Sequence, residues 1–166
     1  MRRRDREITD KNQIEEILSN CKYLHLGLSD NNIPYVIPMN YGFVKDSEHE
    51  QYILYLHCAH EGKKLDIIKE NPRCCFTLER NVAPFEGKVA CQYGMVYESI
   101  IGYGDLHIIE DPTEKMAALN ALMHTQTGMD HFQFDERLVS IVTVLRVDVS
   151  ELTAKKRPLP GSGEES

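Results

Sequence analysis

The chain has 166 residues, 42% of them hydrophobic and 27% charged, and its 26 acidic against 19 basic side chains leave a formal charge of −7. That length suits one domain burying about two-thirds of the surface its unfolded chain exposes, without disulfide or metal staples. The acidic balance disfavours a nucleic-acid partner, no apolar run reaches the ~18 residues of a membrane span, and the opening MRRRDREITD lacks the apolar core of a secretory signal, so a cytoplasmic protein is expected.

Asp10 with Gln13 three residues on resembles a capping box, and Ile14, Ile17 and Leu18 follow at helical spacing, which predicts a helix over 11–20 lying as a lid on a sheet. Residues 22–29 alternate strictly, Leu24, Leu26 and Leu28 against Tyr23, His25 and Gly27, as in a half-buried strand. Ser29 to Asn32 is turn chemistry, and the β-rich run 33–44 returns antiparallel. Pro34 and Pro38 remove ladder donors from that run, so it lies at an edge or bulge.

The stretch 51–72, QYILYLHCAHEGKKLDIIKENP, joins a strand at 52–56 to a short helix that stops at Asn71, because the residue before proline avoids helical geometry. Lys63 and Lys64 open this helix, where the dipole favours acidic residues. Two readings stay open. Either both lysines are simply solvated, or they and the backbone N–H groups of Gly62, Lys63 and Lys64 cradle an anion such as a phosphate.

The next segment, RCCFTLE, is strand-like, and its adjacent Cys74 and Cys75 read as two buried small apolar side chains. With Cys21, Cys58 and Cys91 the cysteines are odd in number and contain no C-x-x-C pair, which argues for reduced thiols rather than a disulfide framework or a zinc ribbon. A loop is expected at 81–88, then a long strand from 90 to 109 whose Gly94, Gly102 and Gly104 mark bends or close approaches. Neither a dinucleotide fingerprint nor a P-loop is complete around any of these glycines.

Asp111, Pro112 and Glu114 spell a helix start, Met116, Leu119 and Met123 continue it, and Gly128 ends it. His124 and His131 flank that end as solvated or cap-region histidines. The alternating run 140–149 predicts a core strand, which leaves one domain over 1–150 and a flexible tail over 151–166. The arginines at 2, 3, 4 and 6 and the cluster Lys155, Lys156, Arg157 are basic arms. Six strands with few helices describe a mainly β, closed antiparallel barrel with flanking helices.

Four motifs, MRRRDREITD, PYVIPMNYGF at 34–43, LYLHCAHEGKKLDIIKENPRCCF at 54–76 and CQYGMVYESIIGYGDLHII at 91–109, resemble the nitroimidazole-resistance (Nim-type) branch of the pyridoxamine 5′-phosphate oxidase-like flavoproteins. The resemblance covers almost the whole chain to about Arg157. It implies a six-stranded split β-barrel and a homodimer holding FMN at the subunit interface. By position it assigns Gly62, Lys63 and Lys64 to the FMN phosphate, Pro38, Met39, Asn40 and Tyr41 to the flavin ring, His57 and Ala59 to the ring's neighbourhood, and Ser99 to the cofactor. His57 would be the reactive-site residue.

A metal held by His57 and His60 is not expected, since no third ligand completes a set. The implied activity is an FMN-dependent oxidoreductase passing electrons from NADH, NADPH or another donor to a small acceptor such as a nitroaromatic. The alternative is a non-catalytic flavin- or haem-related binding or sensing protein. The C-terminal substrate-binding motif of true pyridoxamine phosphate oxidases has no match.

Overall fold

The computed structural model describes residues 3–46, 48–130 and 132–161, so His131 lies outside the described residues. After a 3-10 turn at Arg4–Arg6 the elements run β1 (Glu7–Ile8), α1 (Lys11–Asn20), β2 (Tyr23–Asp30), β3 (Ile33–Asn40), β4 (Gly42–Asp46), β5 (Gln51–Cys58) and α2 (Lys63–Glu70). They continue as β6 (Arg73–Phe85), a 3-10 turn at Ala90–Gln92, β7 (Gly94–Ile108), α3 (Pro112–Thr127), α4 (Glu136–Ser140) and β8 (Thr143–Arg157).

All eight strands join one antiparallel sheet along the path β3-β2-β6-β7-β8-β5-β4, with β1 added against β8. The two ends of that path, β3 and β4, are separated in the chain only by Tyr41, so one bent stave closes the barrel. The single strand expected over 33–44 is therefore broken at Tyr41. With β3 and β4 counted as one stave and the two-residue β1 set aside, the expected six staves are present. Pro34 and Pro38 lie on β3, which stands at one end of the strand path, an edge position of the kind their missing donors require.

Inside the barrel, Leu24, Leu26, Leu54, Leu56, Phe76, Leu78, Ile100 and Leu145 are at most 1% exposed. Ile17 and Leu18 of α1 and Leu65, Ile67 and Ile68 of α2 join the same core, so both helices plug the barrel. A smaller cluster outside the wall packs Ala118 and Leu119 of α3 on Ile53, Tyr55 and Val144. Gly102 has no side chain because the Phe76 ring lies where its Cβ would be.

Helix ends follow their expected caps. Asp111 accepts the Glu114 N–H at 2.8 Å, Pro112 opens α3, and Gly128 closes it in the left-handed region at φ 73°. At α1 the capping box is not formed as expected: Asp10 accepts the Asn12 N–H, and the Gln13 side chain reaches the Asp10 carboxylate instead of the backbone.

Three boundaries move, and one burial expectation changes. The loop expected at 81–88 is strand as far as Phe85, with a register shift between Arg80 and Ala83 and Asn81 at φ 54°. Residues 90–92 form the 3-10 turn rather than strand. The tail expected from 151 is ordered through Arg157, because β8 keeps pairing with β7 up to Tyr97↔Arg157. Cys75 is exposed while Cys74 is buried, since neighbours on a strand point to opposite faces and only one face is core here. Among the described residues no helix is long and apolar enough to cross a membrane.

Candidate functional site

The start of α2 is open. Gly62 takes φ 135°, a conformation side chains rarely adopt, no side chain caps the helix, and a Cβ on Gly62 would meet nothing within 4 Å. The two lysines there differ. Lys63 lies 3.2 Å from the Asp30 carboxylate and 5.5 Å from the centre of the Tyr35 ring, both on the β2–β3 hairpin. Lys64 is half-buried and has no carboxylate partner among the described residues.

A hollow of about 630 Å³ lies on the Lys63 side, but Asp30, Asp66 and Glu70 line it, and this acidic set repels an anion. The capacity for a phosphate therefore rests on Lys64 and the uncapped N–H groups beside it.

His57 sits at the end of β5, paired with Val144 of β8, and its side chain turns out of the barrel beneath α3. Its Nδ1 is buried without a hydrogen-bond partner among the described residues. Burial lowers the imidazole pKa below its ordinary 6.5, and the nearby Lys64 ammonium lowers it further, so the ring is held neutral at pH 7. Ala59 is exposed on the turn that follows.

His60 has both ring nitrogens engaged. Nε2 lies 2.7 Å from the Ser140 carbonyl oxygen, which can only accept, so it carries the proton, and Nδ1 accepts from the Thr143 hydroxyl at 3.0 Å. The ring thereby pins the end of α4 against the start of β8. Neither α4 nor this clamp was read from the sequence, although Asp135, which accepts the Arg137 N–H, is a cap signal in plain view.

The ring-lining stretch divides by strand alternation. Pro38 and Asn40 face outward and are exposed, whereas Met39 and Tyr41 point into the core. The Tyr41 hydroxyl donates to the Leu18 carbonyl at 2.6 Å, its own carbonyl accepts from Gln126 Nε2 at 2.8 Å, and burial pushes the phenol pKa well up. The Tyr41 side chain therefore serves the fold, and of the four side chains in that stretch those of Pro38 and Asn40 are the ones turned outward.

Ser99 is 8% exposed, and its buried Oγ has no partner among the described residues. It pairs with Lys155 on β8, while His57 pairs with Val144 on the same strand, a separation of ~35 Å at full strand extension. Ser99 and His57 therefore pair with opposite ends of β8.

A sheet closed by one bent strand, with an open basic helix start and unsatisfied polar groups outside the wall, defines a split barrel whose candidate site lies on its exterior. The chain belongs to the pyridoxamine 5′-phosphate oxidase family, whose pattern matches residues 10–156. It is similar to a candidate 5-nitroimidazole antibiotic resistance protein from Bacteroides thetaiotaomicron at 33% identity, with 90% of this chain and 86% of that one covered and a TM-score of 0.76. Both findings bear out the resemblance carried by the four sequence motifs.

The flavocytochrome Anf3 of Azotobacter vinelandii shares the fold at 18% identity and a TM-score of 0.77, over 99% of this chain and 75% of that one. A FAD and heme binding protein of Mycobacterium smegmatis does so at 13% identity and a TM-score of 0.75, over 95% and 77%. No curated protein matches the chain.

Proposed function

We propose that this protein is a cytoplasmic, homodimeric FMN flavoprotein that reduces small acceptors such as nitroaromatics with electrons from NADH or NADPH. The observation that carries the reading is the juxtaposition at the β5–α2 turn of an unpaired ammonium, Lys64, an uncapped helix start at Gly62 and the unpartnered Nδ1 of His57. When bound, FMN supplies the redox chemistry, accepting electrons from a donor and passing them on. Lys64 and the α2 N–H groups hold the phosphate, and Lys63 sets the hairpin beside them through Asp30. His57, neutral at pH 7, orients the acceptor. Pro38 and Asn40 offer backbone to the ring.

The homodimer answers the separation of Ser99 from His57. Cross-strand pairing puts Tyr23, Val36, Cys75, Ile101 and Tyr103 on one outward face of the sheet, all exposed, and an apolar face of this kind is a docking surface. A second copy on that face completes the site, with Ser99 of one chain serving the flavin held at the α2 start of the other.

Anaerobic addition of NADH or NADPH tests the activity. Bleaching of the flavin followed by reoxidation on adding a nitroimidazole is the expected result. A bound flavin that neither nicotinamide reduces assigns storage or sensing instead.

A further inference from the structure

A second hollow, about 350 Å³, lies between α3, α4 and the end of β5, within the size range of small-molecule sites (~300–1,000 Å³). Its walls are hydrocarbon: Leu119, Leu122 and Met123 from α3, then Phe134, Leu138 and Val142 from the segment that follows. His57 stands on this wall with its Nδ1 buried and unpartnered. The other polar groups are Gln133 and Asp135, and the Asp135 carboxylate already caps α4. Among the described residues no lysine or arginine lines the space.

The α4 wall is lightly built. The helix buries none of its own residues, exposes Leu138, and is held at its end by His60. A buried polar atom without a partner costs free energy unless a ligand satisfies it, and the hydrocarbon walls compensate a doubly charged phosphate poorly: Lys64, whose ammonium acts on His57, is not among the lining residues.

We propose that this hollow is the acceptor pocket, that it takes an uncharged, largely hydrocarbon ring compound hydrogen-bonded to His57, and that it rejects phosphorylated amines. The assignment of an acceptor rests on the flavin reading; the choice of ligand chemistry rests on the hollow itself. A fused two-ring aromatic with one hydroxyl has the matching composition: rings for the walls and an O–H that hydrogen-bonds the His57 imidazole. The pocket thereby separates this chain's substrate from the phosphorylated one in its family's name.

Calorimetric titration of 1-naphthol, naphthalene and 1-naphthyl phosphate into the protein as purified, and again after saturation with FMN, tests this. The expected result is that 1-naphthol binds both forms, about tenfold more tightly than naphthalene, the worth of one hydrogen bond, while the phosphate ester does not bind. His57→Leu removes the preference for 1-naphthol over naphthalene. Met123→Trp fills the hollow and abolishes binding, and Leu138→Trp, at an exposed position that tolerates the change, does the same from the opposite wall.

Phosphate-ester binding as tight as that of 1-naphthol, a preference that survives His57→Leu, or displacement of 1-naphthol by FMN overturns the proposal; displacement would make the hollow the flavin's own seat. Failure of the flavin reading shows separately, as an absence of FMN binding with 1-naphthol binding intact.

Discussion

Lys64, at the start of α2, acts electrostatically on His57, at the end of β5: its ammonium adds to burial in holding the imidazole below its ordinary pKa. On the proposed reading the neutral ring and the cation belong to one site.

An NMR titration of the His57 ring will therefore give a pKa below 6.5, and Lys64→Met will raise it. The sign for stability follows. The folded state binds the proton less readily than the unfolded one, so the contribution of His57 to stability is fully present above pH 6.5 and is lost as pH falls through the folded value. A His57 pKa unmoved by Lys64→Met would separate the two groups.

Tyr41→Phe deletes the hydroxyl that meets the Leu18 carbonyl inside the core. Leaving a buried acceptor unpaired costs about 1–3 kcal/mol, which denaturant melting will show as a lower midpoint at unchanged slope. FMN affinity should stay the same, because Tyr41 serves the bend between β3 and β4 rather than the ligand.

Gly102→Ala places a methyl group on the Phe76 ring, which is 1% exposed and has no room to retreat. Overpacking of this kind costs about 1–3 kcal/mol in the same melting experiment. The double variant with Phe76→Leu should recover part of that loss.

Sedimentation velocity checks the second copy. Val36→Glu and Tyr103→Glu each put a charge on the outward sheet face, where Val36 is 61% exposed in a single chain. Both should turn a dimer into a monomer and lower FMN content with it, because Ser99 then no longer reaches the flavin of the other chain. Dimers that persist in both variants would place the interface elsewhere.

Much of the barrel is written locally. The alternation around Leu24, Leu26 and Leu28, the Asp111 cap with Pro112 and Gly128, and the stop at Asn71 are short-range chemistry, and each element formed where that chemistry put it. The break at Tyr41 has no local signal, because its causes are distant. Leu18 takes the hydroxyl, Gln126 takes the carbonyl, and Gly42 lies against the α3 backbone at Leu122.

Residues 151–157 look like tail in sequence and become strand because β7 offers them partners. The site shows the same division. A basic helix start is legible as two adjacent lysines, but which of them is free depends on Asp30, which folding brings to Lys63. The clamp of His60 on Ser140 and the hollow under α4 depend on the packing of a five-residue helix, none of it buried, with almost no periodicity to announce it.

FMN titration of the wild-type protein beside Lys64→Ala and Lys63→Ala tests the central claim most directly. Wild type should bind one FMN per chain. Lys64→Ala should lose about 1.5–3 kcal/mol of affinity, the worth of a charge-assisted hydrogen bond, and Lys63→Ala distinctly less, because its ammonium is already held by Asp30. A wild-type protein that takes up no FMN, or a Lys64→Ala variant that binds it as tightly as wild type, would contradict the account.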